Sequence, residues 1–243
     1  MEGFMSPRTA QPADAFLFAG EGLARLRAAA HDLSWLLSRE YAITAALKLT
    51  GDRYQLDARQ RTAVRRSSCS DQARAHRLAR QRDPAQLHGQ LLLIDGFNAL
   101  TTLEAALGGA VILGGRDGCY RDLEGVHGSY HDGPETRAAV DLLIDYTAFL
   151  GVSRCSVLLD RPVSHSGALK NLLLEICGER GAPWEVTLVN NPDRELGSAQ
   201  ECVATADSAV IDAAGGWLNL AREVIARSVP GAWVIDFEAD FTR

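Results

Sequence analysis

The stretch Leu91-Leu92-Leu93-Ile94-Asp95-Gly96-Phe97-Asn98 constrains the fold of this chain more than any other. An unbroken apolar run suits a strand buried on both faces, as parallel strands are. It stops on an aspartate, a glycine and an asparagine, which suit a strand end opening into a helix. Open α/β sheets bind their ligands at that carboxyl edge. The same ending recurs at Ser156-Val157-Leu158-Leu159-Asp160 and at Cys202-Val203-Ala204-Thr205-Ala206-Asp207. Three strands ending on aspartate predict a shared acidic crevice. Crowded carboxylates repel one another unless a cation neutralises them, and oxygen ligands favour Mg²⁺ or Mn²⁺.

The surrounding pattern alternates. Strands are expected at 90–95, 110–113, 155–159, 185–189, 202–206 and 216–220, and helices at 97–107, 134–150, 166–180, 207–214 and 219–227. Strand, helix, strand at this spacing predicts an α/β fold: a Rossmann-like, mostly parallel sheet with helices on both faces, over residues 88–229. Residues 230–243 are expected as a tail or an edge strand. Upstream, apolar residues recur at helical spacing from Gly22 to Ser38, and further helices are expected over 41–49, 57–66 and 71–80. Gly51 is expected to end the second of these, with Asp57 and Asp71 capping the next two. Residues 21–84 thus form a small all-α module, preceded by a loose segment over 1–20 that carries the breakers Ser6-Pro7 and Gln11-Pro12.

Charge is uneven along the chain. The net charge is −6, yet 51–82 holds nine arginines against three aspartates, a local +6 that leaves −12 elsewhere. That asymmetry fits a nucleic-acid-facing module on an acidic body, or a solvated helix surface. The five cysteines are dispersed, with no Cys-x-x-Cys pair, which argues against a disulfide framework or a zinc cage and for a reducing cytoplasm. No apolar run reaches the roughly 20 residues of a membrane span, and the N-terminus lacks a secretory pattern.

Asp95 is the first candidate ligand, with Gly96 leaving room for a ligand to approach and Asn98 placed to orient the carboxylate; the alternative is a capped turn. Asp207 carries the same two readings. Asp160 leads into Arg161-Pro162-Val163-Ser164-His165-Ser166-Gly167, where Arg161, Ser164 and Ser166 could meet phosphate oxygens near a helix start. Residues 114–133 read as a long polar loop, of the kind that tends to be functional. If it folds over the crevice, Asp117 or Asp122 could add a metal ligand, with Asp122 the candidate fourth, Arg116 and Arg121 could clamp phosphate, and His127 is a further candidate substrate contact. P-loop and dinucleotide motifs are absent from the sequence.

Taken together, Asp52-Arg53-Tyr54-Gln55-Leu56, Ile94-Asp95-Gly96-Phe97-Asn98, the run from Tyr120 to Tyr130, the run from Leu159 to Gly167 and Ala204-Thr205-Ala206-Asp207-Ser208 resemble domain-of-unknown-function family 434, from about Ala28 to Arg227. The C-terminal region also resembles the PIN/NYN-like nuclease superfamily, through Asp95-Gly96-Phe97-Asn98 and Thr205-Ala206-Asp207. This implies a PIN/NYN-like fold that cuts RNA with Mg²⁺ or Mn²⁺. The superfamily places a further acidic residue on a middle helix, and Asp122, Asp141 and Asp160 are the alternatives for it here.

The expectation is a metal-dependent nuclease acting on RNA. Asp95, Asp160, Asp207 and Asp122 would hold the metal, and Asn98 would orient the attacking water or the first carboxylate. Arg53, Arg65, Arg66, Arg121, His127, Arg161, Ser164 and Ser166 would contact substrate. A non-catalytic RNA- or nucleotide-binding protein, and a phosphatase or phosphotransfer enzyme for a small metabolite, are the rival expectations. Self-association is left open.

Overall fold

A computed structural model describes residues 8–125 and 128–237. The chain begins with five helices: α1 (Asp14–Leu17), α2 (Gly20–Leu37), α3 (Ile43–Arg53), α4 (Ala58–Ser67) and α5 (Asp71–Arg80). A short 3₁₀ turn leads into β1 (Leu91–Asp95), α6 (Gly96–Leu107), β2 (Ile112–Gly114), β3 (Tyr120–Asp122), α7 (Thr136–Leu150) and β4 (Arg154–Asp160). The remainder is α8 (Ser166–Arg180), β5 (Trp184–Val189), α9 (Pro192–Gly197), β6 (Cys202–Ala204), α10 (Ser208–Ala213), β7 (Gly216–Leu218), α11 (Leu220–Ser228) and β8 (Val234–Asp236). Among the described residues, no helix is long and apolar enough to cross a membrane. All five cysteines are buried and unpaired.

The main sheet is all parallel, with strand order β5-β4-β1-β6-β7. Its residues alternate between two apolar layers. Leu92, Ile94, Val157, Leu159, Cys202 and Ala204 join the large core with residues of α6, α7, α8 and α11. Leu158, Val189 and Val203 face the other way, onto Leu196 of α9 and Val210 of α10. Both faces are therefore covered by helices, which is why the strands read as nearly continuous apolar runs. From β1 the chain builds β4 and β5 to one side, and only later adds β6 and β7 to the other. The order reverses between β1 and β6, so a crevice opens at their carboxyl ends. Asp95 closes β1 there, and Asp207 follows β6.

Several expectations change. The strand expected at 110–113 lies in a second sheet of order β3-β2-β8, where β2 is antiparallel to β3 and parallel to β8. The reason is its two-sided burial: Ile112 faces the main core, while Val111 and Leu113 meet Leu26, Leu33 and Val64 of the helical module, with Ile235 and Phe237 beside them. The small sheet is thus the floor on which the helices pack. Within the expected tail or edge strand, β8 (Val234–Asp236) is the edge strand of this sheet. The long loop contains β3, and α9 was unforeseen in the sequence.

At the N-terminus, Asp14–Leu17 is helical, and Asp14 is buried against Arg59 at 2.7 Å, so residues 14–20 are not loose. Gly51 does not end its helix, which runs on to Arg53. A Cβ at Gly51 would stand 2.2 Å from the Arg61 guanidinium, so the glycine makes room for that side chain. Asp57 caps α4 in a capping box with Gln60, as expected, whereas Ser70 rather than Asp71 caps α5.

Candidate functional site

The strand ends build the site. Asp95 is the N-cap of α6, and Oδ1 accepts the Asn98 amide at 3.4 Å. The Thr205 hydroxyl donates to Oδ2 at 2.9 Å and itself accepts the Asp207 amide at 3.0 Å. The Asn98 side-chain oxygen accepts the Ala206 amide at 2.8 Å. These bonds tie the end of β1 to the end of β6. Asn98 therefore acts on the Ala206–Asp207 turn through its side chain and on Asp95 through its backbone. Asp207 caps α10, with Oδ1 accepting the Ala209 and Val210 amides at 2.8 and 3.1 Å. Both aspartates thus cap their helices, and both line one cleft.

Asp95, Asn98, Asp122, Asp160 and Asp207 line one cleft of about 240 Å³, together with Arg66, Thr101 and Asp193. Asp193 was missed in the sequence. It follows β5 in Asn190-Asn191-Pro192-Asp193, where Asn191 caps α9 and Pro192 occupies its first turn. An asparagine–proline helix start just after a strand was the available signal. Gly96, by contrast, does not make room for a ligand. A Cβ there would stand 2.6 Å from Leu159 Cδ2 and 2.8 Å from Val157 Cγ1, so glycine permits close packing of α6 on β4.

The cleft is electrostatically crowded. Asp95 is only 9% exposed, and its carboxyl is pushed up to about 7. Burial is the main cause and repulsion from Asp207 and Asp193 adds to it, while the Thr205 and Asn98 bonds oppose it. Asp193 is also raised, by desolvation and then by Asp207 and Asp160. Asp160 Oδ1 is buried with no hydrogen-bond partner among the described residues. An orphaned carboxylate oxygen in an acidic cleft fits a hard cation. Among the described residues, however, no three acidic, histidine or cysteine side chains are grouped closely enough to hold a bare ion. Mg²⁺ usually keeps several waters and takes one or two carboxylates directly, so this donor set suits a hydrated ion.

The predicted basic residues divide. A groove of about 680 Å³ adjoins the cleft, sharing Arg66, Asn98 and Asp207 with it, and is also lined by Arg59, Arg65, Arg77 and Arg121. Most of these guanidinium groups are spent within the protein. Arg59 pairs with Asp14 and Glu124. Arg66 meets Asp122 at 3.1 Å, so the candidate fourth ligand already has a cationic partner and also accepts the Gly125 amide. Arg121, expected as a phosphate clamp, is buried and forks onto Asp117 at 2.9 and 2.7 Å. Arg65 is exposed in the groove and pairs with no carboxylate among the described residues.

The remaining candidates lie outside the cleft lining. Arg53 is exposed beside Asp32 at 3.7 Å. Arg161 donates to the Leu188 carbonyl at 2.9 Å. Ser164 holds the returning loop through its backbone, donating to Gly128 O and accepting from the Tyr130 amide. The Ser166 hydroxyl donates to Arg161 O at 3.1 Å, and the helix it begins is capped by His165 in a left-handed conformation. His127 lies outside the described residues. Asp141, one alternative for the further acidic residue, pairs with Arg180, as does Asp145 one turn on.

The fold and site define an α/β protein with an acidic cleft at the switch point of a parallel sheet, braced by an arginine-rich helical module. The chain belongs to the family described as Domain of unknown function (DUF5616), which matches residues 84–223, more than half its length. The preceding residues 25–80 match Protein of unknown function (DUF434). The resemblance to family 434 is thus confined to the helical module, and the strand-end motifs fall within the DUF5616 match. An uncharacterised protein of Methanocaldococcus jannaschii is 32% identical over 183 residues, covering 75% of this chain and 87% of its own. No solved structure matches the chain.

Proposed function

We propose that the protein is a metal-dependent nuclease acting on RNA, as its likeness to PIN/NYN-like nucleases suggests. The observation that carries the reading is the convergence of Asp95, Asp160, Asp193 and Asp207 on one cleft that opens onto an arginine-lined groove. Asp160, Asp193 and Asp207 would hold hydrated Mg²⁺ or Mn²⁺, with Asp95 behind them. The ion would lower the pKa of a bound water and stabilise charge on the phosphodiester. Thr205 and the Asn98 amide orient Asp95, whose carboxyl keeps a proton near neutral pH until positive charge enters the cleft. Arg65 and the groove would hold the flanking backbone by charge, without reading sequence.

The test is Mn²⁺-dependent cleavage of a mixed RNA pool by the wild type and by Asp95→Asn, with calorimetry for metal binding. Wild-type cleavage that the variant loses supports the reading. A wild type that neither cuts nor binds metal overturns it. A second reading, RNA binding without cleavage, draws on the helix-capping roles of Asp95 and Asp207. It expects salt-sensitive RNA binding that Asp95→Asn leaves unchanged.

A further inference from the structure

The arginines of α5 turn inward. Arg77 Nε and Nη2 each lie 2.7 Å from an oxygen of Asp212 on α10, and Nη1 lies 2.6 Å from Asp117 Oδ2. Asp117 is 1% exposed and also receives both terminal nitrogens of Arg121 and the Cys119 amide. The remaining Arg121 donor, Nε, reaches the Ala206 carbonyl at 2.7 Å. The Ala206 peptide is thus held at its carbonyl by Arg121 and at its amide by Asn98. Asp207 is the next residue. At the far end of the same helix, Arg80 caps the Ile211 and Ala214 carbonyls at 2.8 and 2.7 Å.

We propose that the Arg77–Asp117–Arg121–Asp212 cluster is a positioning device through which the helical module sets the place of Asp207 in the cleft. On this view the module contributes more than a charged surface. Its α5 grips α10 at the start, where Arg77 Nη1 donates to the Ser208 hydroxyl at 3.3 Å, and at the end through Asp212, Ile211 and Ala214, and α10 begins at a cleft carboxylate. Buried charges with every partner in place fix one geometry, because any slip leaves a charge without a partner. Arg77 and Arg121 contact neither ion nor substrate in this role. Their effect passes through the Ala206–Asp207 turn. The idea rests on the nuclease reading only for its consequence, since the brace itself concerns the protein alone.

The test uses the full chain with Arg77→Lys, which cannot make the fork, and Asp212→Asn, which keeps the shape at a half-exposed position. Hydrogen exchange of the Ala209 and Val210 amides, which Asp207 caps, reports the turn directly. Exchange there is expected to rise about tenfold or more in Arg77→Lys, with strands β1 and β4 unchanged, because such openings are local. Calorimetric Mn²⁺ affinity is expected to fall about tenfold, as for other residues that orient a ligand. Asp212→Asn should show both effects more weakly, and it carries the test if Arg77→Lys does not fold. Unchanged exchange at 206–212, or loosening spread evenly over the chain, overturns the proposal. A wild type that binds no Mn²⁺, while 206–212 still loosens selectively in the variants, sinks the nuclease reading and leaves the brace standing.

Discussion

Asp95→Asn should make the protein more stable above neutral pH. The native carboxyl is pushed from 3.8 to about 7 by burial and by its acidic neighbours. The folded chain therefore binds this proton more tightly than the unfolded chain does. Stability linked to the group is full below about pH 4 and is lost as pH rises through about 7. Three pKa units correspond to an upper bound of about 4 kcal/mol. Asparagine removes the charge but can accept only one of the two bonds that Thr205 and the Asn98 amide now donate. That loss costs about 1–2 kcal/mol. A net gain of about 2 kcal/mol at pH 8 remains, which is roughly 4–8 °C in melting temperature for a domain of this size. The assay is thermal unfolding of both proteins at pH 4 and pH 8. The gain should vanish at pH 4, and adding Mn²⁺ should stabilise the wild type more than the variant. Equal destabilisation of the variant at both pH values would refute the reasoning. Stability sacrificed at a charged cleft is the usual mark of a working site.

Three further perturbations follow from the same geometry. Asp117→Ala would strand the buried Arg121 without its carboxylate and should cost about 3–5 kcal/mol, read by urea unfolding. Because Arg121 and Arg77 hold the Asp117 carboxyl well below its usual range, that contribution should persist above about pH 4 and fade only in stronger acid. Gly96→Ala should cost about 1–3 kcal/mol by forcing a methyl group into Val157 and Leu159, with circular dichroism still showing the native fold. Arg65→Ala should weaken RNA binding and lower the slope of log affinity against log salt by about 0.7–0.9, whatever the RNA sequence.

How far the sequence reached depends on the element. The runs ending at Asp95 and Asp160 announced parallel strands because both faces of the main sheet are covered, so apolar residues dominate them without alternation. Strand β3 and helix α9 escaped notice because the three residues Tyr120-Arg121-Asp122, and a six-residue helix, carry no periodic apolar signal. Asp193 escaped the strand-end pattern because its place at the cleft comes from the turn after β5, marked only by the Asn191-Pro192 helix start, and not from an apolar run ending on it. The arginines carry a different lesson. Counting them gave a local charge of +6, but their counter-ions sit far away in the chain: Asp14 for Arg59, Asp122 for Arg66, Asp117 and Asp212 for Arg77.

By itself the sequence determined the class of fold and the edge of the sheet where carboxylates gather, because both follow from local pattern. Strand-end aspartates are set by the residues beside them, and βαβ connections leave their carboxyl ends on one rim. Only the tertiary structure decided which charges remain available there. Pairing between α5 and α10, and between α4 and the loop carrying Asp122, joins residues far apart in the chain. A charge count has no access to such pairings, since burial and opposite charge act through space.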